Sequence, residues 1–286
     1  MTATTTTTTD VPGGERSARE PRARFRDLVT AEWIKHRSLR STWIAYGATA
    51  LAVIGFNAGT AYDTYSHWRL HVPKERAAFE RDGIALQEAF TSNAALLMAL
   101  ALGAIGALVI VGEYSTGTNR TTFAAVPAHR SVMAAKAAVV SVVTTLFGMV
   151  VAGVSFAVTQ AILDRRGAGV SIGDQGAFRV VLASALLSPV CALAGLALGA
   201  VIRQTASTMI LSAVVILVLP LILTEGRHWS AVAGHTLPYR AWLRLVDVNY
   251  SPTAFPWSIG GAWTVYAVWA CAACAVAVTS VHLHDQ

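Results

Sequence analysis

The chain has 286 residues, 54% of them hydrophobic and only 13% charged, with a mean hydropathy of +0.51 and a formal net charge of +6. Soluble domains carry roughly 25% charged residues, so this composition excludes an ordinary water-solvated globule and points to a chain solvated by lipid. The excess positive charge does not indicate nucleic-acid binding, because no basic–aromatic patch of the kind that tracks a strand is present.

In chain order, the first element is a tail. Residues 1–24 are Thr-rich and then Pro/Gly/Arg-containing, with almost no apolar content, which predicts a disordered segment. No apolar run follows the start, so a secretory signal is not expected. Residues 25–40 change pattern. Phe25, Leu28, Val29 and Trp33 recur at helical spacing, with Arg26, Lys35, Arg37 and Arg40 among them. This predicts an amphipathic helix lying in the membrane interface, anchored by Trp33, Arg37 and Arg40.

Residues 41–286 then hold apolar blocks of about the length that crosses a hydrocarbon core. They read as six spans, near Thr42–Tyr62, Phe90–Gly112, Lys136–Leu163, Val180–Ile202, Ser207–Thr224 and Ser258–Val281. The runs do not alternate polar with apolar, which argues against a transmembrane barrel. Helices, which satisfy their own backbone groups in lipid, are expected. The fold class is therefore an all-α integral membrane protein. The basic load before the first span places the N-terminus in the cytoplasm, and an even number of spans returns the C-terminus there.

Two of the outward loops are long. Pro73 is placed to open a helix in the first. The last contains Trp229, Leu237, Tyr239, Trp242, Leu243 and Leu245 and reads as either a segment dipping into the outer interface or a surface lid. Gly55-x-x-x-Gly59 and Gly195-x-x-x-Gly199 allow close helix approach. Pro189 and Pro220 are candidates to kink the fourth and fifth spans.

Chemistry is sparse within the spans. They contain no Asp, Glu or Arg, and their one Lys, Lys136, stands at a boundary. Asn57 and Gln160 are the polar candidates, and neither carries a proton near neutral pH; packing hydrogen bonds are their simple reading. Cys271 and Cys274 form a C-x-x-C with no His or carboxylate nearby, so small packing residues are expected rather than a metal site. No H-E-x-x-H or G-x-S-x-G motif occurs. A P-loop needs Gly before Lys, and Lys35, Lys74 and Lys136 follow Ile34, Pro73 and Ala135. If nucleotide energy drives this protein, a different polypeptide must bring the ATPase.

One polar stretch interrupts the apolar pattern, EYSTGTNRTTFAAVPAHRSVMAAK from Glu113 to Lys136. Glu113 ends the second span at an interface. Gly117 permits a sharp change of direction. Thr116 or Thr118 can cap a short helix near Thr118–Ala125, which Pro127 ends, and Ser131 can cap the third span. The expected product is a short helix across the base of two spans, rigidly joined to both and able to take force from a soluble partner.

At these residues a resemblance becomes specific. Glu113, Gly117, Thr118, Pro127, Arg130 and Lys136 resemble the loop of type-2 ABC exporter permeases, and the longer string is similar to the actinobacterial branch of that family. Asn119 and the Ala128-His129 pair depart from its pattern. The resemblance implies a permease subunit of a bacterial cell membrane exporter that dimerises, as homodimer or heterodimer, and binds two ATP-binding subunits. ATP and Mg would be bound by those partners and no cofactor by this chain. The hinge residues Glu113, Gly117, Thr118, Arg120, Pro127 and Arg130 would couple to the ATPase, with Arg120 and Arg130 touching it or anionic lipid heads. A non-transporting membrane anchor or sensor that docks a cytoplasmic protein shares the hinge and is the alternative.

Overall fold

The computed structural model describes residues 24–117, 129–223, 226–249 and 255–280. The N-terminal tail and the short helix expected near Thr118–Ala125 lie outside them. Every regular element among the described residues is helical, and six helices are long and apolar enough to cross a membrane.

The first helix, α1 (Phe25–Ser38), turns a corner at Leu39 into α2 (Arg40–His67), the first span. Two short helices follow, α3 (Pro73–Arg81), opened by Pro73, and α4 (Ile84–Ala89). Thr91 then caps the second span, α5 (Ser92–Thr116), its hydroxyl accepting from the Ala94 N–H at 3.3 Å. The third, α6 (His129–Asp164), has 36 residues. At 1.5 Å per residue it is roughly 54 Å long, well beyond a hydrocarbon core of about 30 Å, so it projects past the apolar layer. Ser131 lies inside this helix instead of capping it, because the helical run already begins at His129.

The fourth span, α7 (Ala177–Ile202), is the centre of the bundle; 78% of its most apolar window is buried, against 22% for the fifth and sixth spans. Its sequence is rich in Ala and Gly, and the reason is contact. A Cβ on Gly195 would sit 1.9 Å from the Gly103 carbonyl oxygen of α5, and one on Gly106 would sit 1.9 Å from that of Ala192. On the opposite side, a Cβ on Gly148 of α6 would meet the Ala185 oxygen at 2.1 Å. Thus α7 touches two neighbours backbone to backbone. Gly55 and Gly59 do not behave this way. Among the described residues nothing lies within 4 Å of a Cβ at either, so this pair packs against no described helix.

The fifth span is composite. It runs through α8 (Thr205–Ala213), a π turn at Val214–Val218 and α9 (Leu219–Ile222), while Pro189 sits inside an unbroken α7. The π turn ends two residues before Pro220, which cannot donate a backbone hydrogen bond. Beyond it, the Arg240 guanidinium donates to the carbonyls of Pro220 (2.9 Å) and Leu223 (2.7 Å), satisfying acceptors left open at the helix end.

After α10 (His228–His235) comes α11 (Pro238–Val246), which is not a surface lid. Its Tyr239, Trp242 and Leu245 are buried in the main core, and the Trp242 indole N–H donates to Ser184 Oγ of α7 at 3.1 Å. The aromatic content of this loop is therefore explained by packing. The sixth span, α12 (Ile259–Thr279), closes the bundle against α7 and α11. Asn57 and Gln160 are also accounted for by packing. Asn57 donates to Ser155 and accepts from the Thr91 N–H and hydroxyl, while Gln160 joins the Ala85 carbonyl to the Val170 N–H.

Candidate functional site: a closed ring of ion pairs at the foot of the hinge

The helix α1 explains the site. It packs along α6, and its buried positions are Leu28, Glu32 and His36, four residues apart. That inward stripe differs from the apolar spacing of Phe25, Leu28, Val29 and Trp33. Phe25 and Trp33 are exposed, as are Ile34, Arg37 and Arg40. A buried carboxylate on a basic helix requires a partner of opposite charge, and α6 supplies it two turns from its start.

Lys136 Nζ donates to Glu32 at 2.5 Å and to Glu113 at 2.7 Å. Lys35 Nζ donates to the other oxygen of Glu32 at 2.8 Å and to Glu113 Oε1 at 3.4 Å. Two lysines and two glutamates thus alternate in a closed ring that joins α1, the last turns of α5 and the first turns of α6. The side chains of Lys136 and Glu32 are 3% and 5% exposed, that of Glu113 15% and that of Lys35 34%. Burial alone would push the Glu32 carboxyl up. The charge and hydrogen bond of Lys136, then those of Lys35, outweigh it and hold the carboxyl below its usual range. Burial likewise opposes the Lys35 ammonium, yet its bonds to Glu32 and Glu113 raise it above its ordinary value. Both groups are therefore ionised at neutral pH.

The ring stands where the chain enters and leaves the hinge. Glu113 precedes it by one turn, and Lys136 follows it two turns into α6. Gly117 ends α5 in a left-handed conformation, φ +71°, which glycine adopts without strain. Arg130 is exposed in the first turn of α6. Thr118, Arg120 and Pro127 lie outside the described residues. Of the expected coupling residues, the structure places Glu113 in the ring, with Gly117 one turn beyond it and Arg130 on the opposite foot.

Glu32 and Lys35 were missed by sequence reasoning as partners of this site. The available signal was small: Glu32 is an acidic residue on an otherwise basic helix face, placed four residues from Leu28 and His36. A second tie lies at the same end of the bundle. Arg203 caps α7 at φ +58°, lies 5.0 Å over the Tyr114 ring and donates to the Ser280 carbonyl at 3.4 Å, joining the ends of α5, α7 and α12.

Beside the ring, α1, α5 and α6 enclose a groove of about 460 Å³. Its polar end is the ring with His36, and its walls include Leu39, Leu108, Val109, Val139 and Val140. Among the described residues, no group of three or more His, Cys, Asp or Glu side chains is placed to hold a metal ion.

A family model described as ABC-2 family transporter protein matches residues 28–223 of the chain. The matched stretch contains all four ring residues and the whole hinge. No curated protein matches the chain.

Proposed function

The chain belongs to the ABC-2 family of transporter proteins, and on that premise we propose that it couples ATP hydrolysis by a separate ATP-binding subunit to export of a substrate. It is a multi-pass membrane permease component of an ABC transporter, and as such a transport subunit rather than an enzyme. In our reading the ends of the chain and the hinge 113–136 face the cytoplasm of a bacterial cell, and two permease chains assemble with two ATPase subunits.

The observation that carries this reading is the ring. A soluble partner that pushes on the hinge pushes on its two feet, Glu113 and Lys136. These are bonded to each other and, through Glu32 and Lys35, to α1. The push is therefore delivered to three helices together, and α5 and α6 pass it to α7 through the glycine contacts. Arg120 and Arg130 are the hinge cations that meet the partner's surface or anionic lipid heads.

The test is reconstitution in lipid vesicles with a candidate ABC ATP-binding subunit. Wild-type protein is expected to stimulate ATP hydrolysis and move substrate in an ATP-dependent way. Glu113→Ala is expected to keep subunit association but lose most of the stimulation, and Arg120→Ala to weaken association itself. Hydrolysis and transport that ignore both substitutions would refute the coupling role. A complex that docks the ATPase but moves nothing would favour the membrane-anchor reading.

A further inference from the structure

The groove beside the ring contains a polar group that no described residue satisfies. His36 is 3% exposed and lines the groove, and neither of its ring nitrogens has a hydrogen-bond partner. Both nitrogens are shielded from water, so a partner in the groove that His36 lines reaches them only when the imidazole turns toward it. The ring is held edge-on to Trp43 and tilted against Tyr46, with centroids 6.2 and 6.0 Å away. Burial, and then the Lys136 charge, keep the imidazole below its usual pKa, so at neutral pH it offers one donor and one acceptor.

We propose that this groove binds a membrane amphiphile with an uncharged hydroxyl head, of the acylglycerol class, its hydroxyl on His36 and its chain along Leu39, Leu108 and Val139. Charge complementarity selects the head. Each lysine of the ring is already bonded to both glutamates, so an anionic head would face Glu32 and Glu113 and a cationic head Lys35 and Lys136. A hydroxyl, one donor and one acceptor, matches a neutral imidazole without disturbing the ring.

The walls select the chain. Leu39 and Leu108 are each 48% exposed at the groove's rim, on the helix corner and on a span, so the opening faces the lipid side of the bundle. A volume of about 460 Å³ is within the roughly 300–1,000 Å³ of small-molecule sites. An occupant would wedge between α1 and the feet of the hinge and so adjust how firmly the three helices move together. That the lipid comes from the cytoplasmic leaflet rests on the orientation proposed above; the binding itself does not.

The test is photolabelling of the full-length protein in nanodiscs, without nucleotide or ATPase, by a 1-acylglycerol carrying a diazirine in its chain. Labelled peptides are expected from α1, α5 and α6 around Leu39, Leu108 and Val139. His36→Phe should reduce labelling about three- to tenfold, the effect of losing one buried hydrogen bond, and His36→Asn, which keeps a donor and an acceptor, should restore most of it. Leu108→Trp, which fills the groove from a half-exposed position, should abolish labelling while leaving the ring untouched. Labelling that survives both Leu108→Trp and His36→Phe would overturn the proposal. So would stronger competition by the phosphate-headed analogue than by unlabelled acylglycerol. Because no ATP is involved, failure here leaves the export reading intact, and failure of export leaves the site intact.

Discussion

Lys136 and Glu32 meet at 2.5 Å although 104 residues separate them in the chain. Both side chains are almost fully buried, and neither would be tolerated there alone. Their pairing decides which face of α1 turns inward.

Removal of one member should therefore be severe. Lys136→Met leaves Glu32 and Glu113 without their most buried partner, a type of change that costs about 3–5 kcal/mol. A large drop in thermal unfolding temperature in detergent is expected. Adding Glu32→Gln should return part of the loss, and a double-mutant cycle on unfolding free energy measures the coupling.

The ring also sets a pH window. Glu32 is depressed below the usual 4.5, so its contribution is complete above that value and lost as pH falls through its lower folded value. Lys35 is raised above 10.5, so its contribution is complete below that value and lost as pH rises past it. His36 is depressed below 6.5, and its contribution fades only as pH falls below that value. The combined contribution of Glu32, Lys35 and His36 should be constant from about 6.5 to 10.5 and decline on either side, read as the difference in unfolding temperature between wild type and variants at these positions. Glu32→Gln should erase the most acidic step and keep the one due to His36.

The two glycine pairs should respond oppositely. Gly195→Leu forces a side chain against the Gly103 backbone, where even a Cβ has no room, and overpacking of this kind costs about 1–3 kcal/mol or more. Gly55→Leu faces open space within the chain and should leave monomer stability unchanged. Gel-filtration profiles and unfolding temperatures of the two variants separate these outcomes.

The segment α11 is held by one large anchor. Trp242→Ala empties a fully buried site between α11 and α7 and should destabilise by about 3–5 kcal/mol. Trp242→Phe keeps most of the volume and loses only the bond to Ser184, a loss of about 0.5–1.5 kcal/mol. Chemical denaturation of both variants checks the difference.

Much of the fold was legible because lipid imposes a strong rule. Charge must leave the spans, so block lengths reveal them, and Glu113, Gly117 and Arg130 stood out as polar residues between two blocks. What was hidden is pairing at a distance. Glu32 reads locally as one acidic residue on a basic helix, and only Lys136 explains why it faces inward. Phe25 and Trp33, expected on the interface-facing side of α1, are exposed, so their apolar spacing does not mark the face that packs on α6. The glycine pairs make the same point, since Gly55 and Gly195 have the same local motif and opposite surroundings.

At Val214–Val218 the fifth span accommodates one residue more per turn than α geometry does. An α-helix advances about 100° per residue, so everything beyond that turn is rotated by roughly this angle relative to Thr205–Ala213. Leu221 and Ile222, in the rotated part, are 63% and 66% exposed. Tightening the turn to α geometry would swing that outer segment while its other half stayed in place. Arg240, bonded to the Pro220 and Leu223 carbonyls on the far side of the turn, fixes that segment against α11 in the rotated setting.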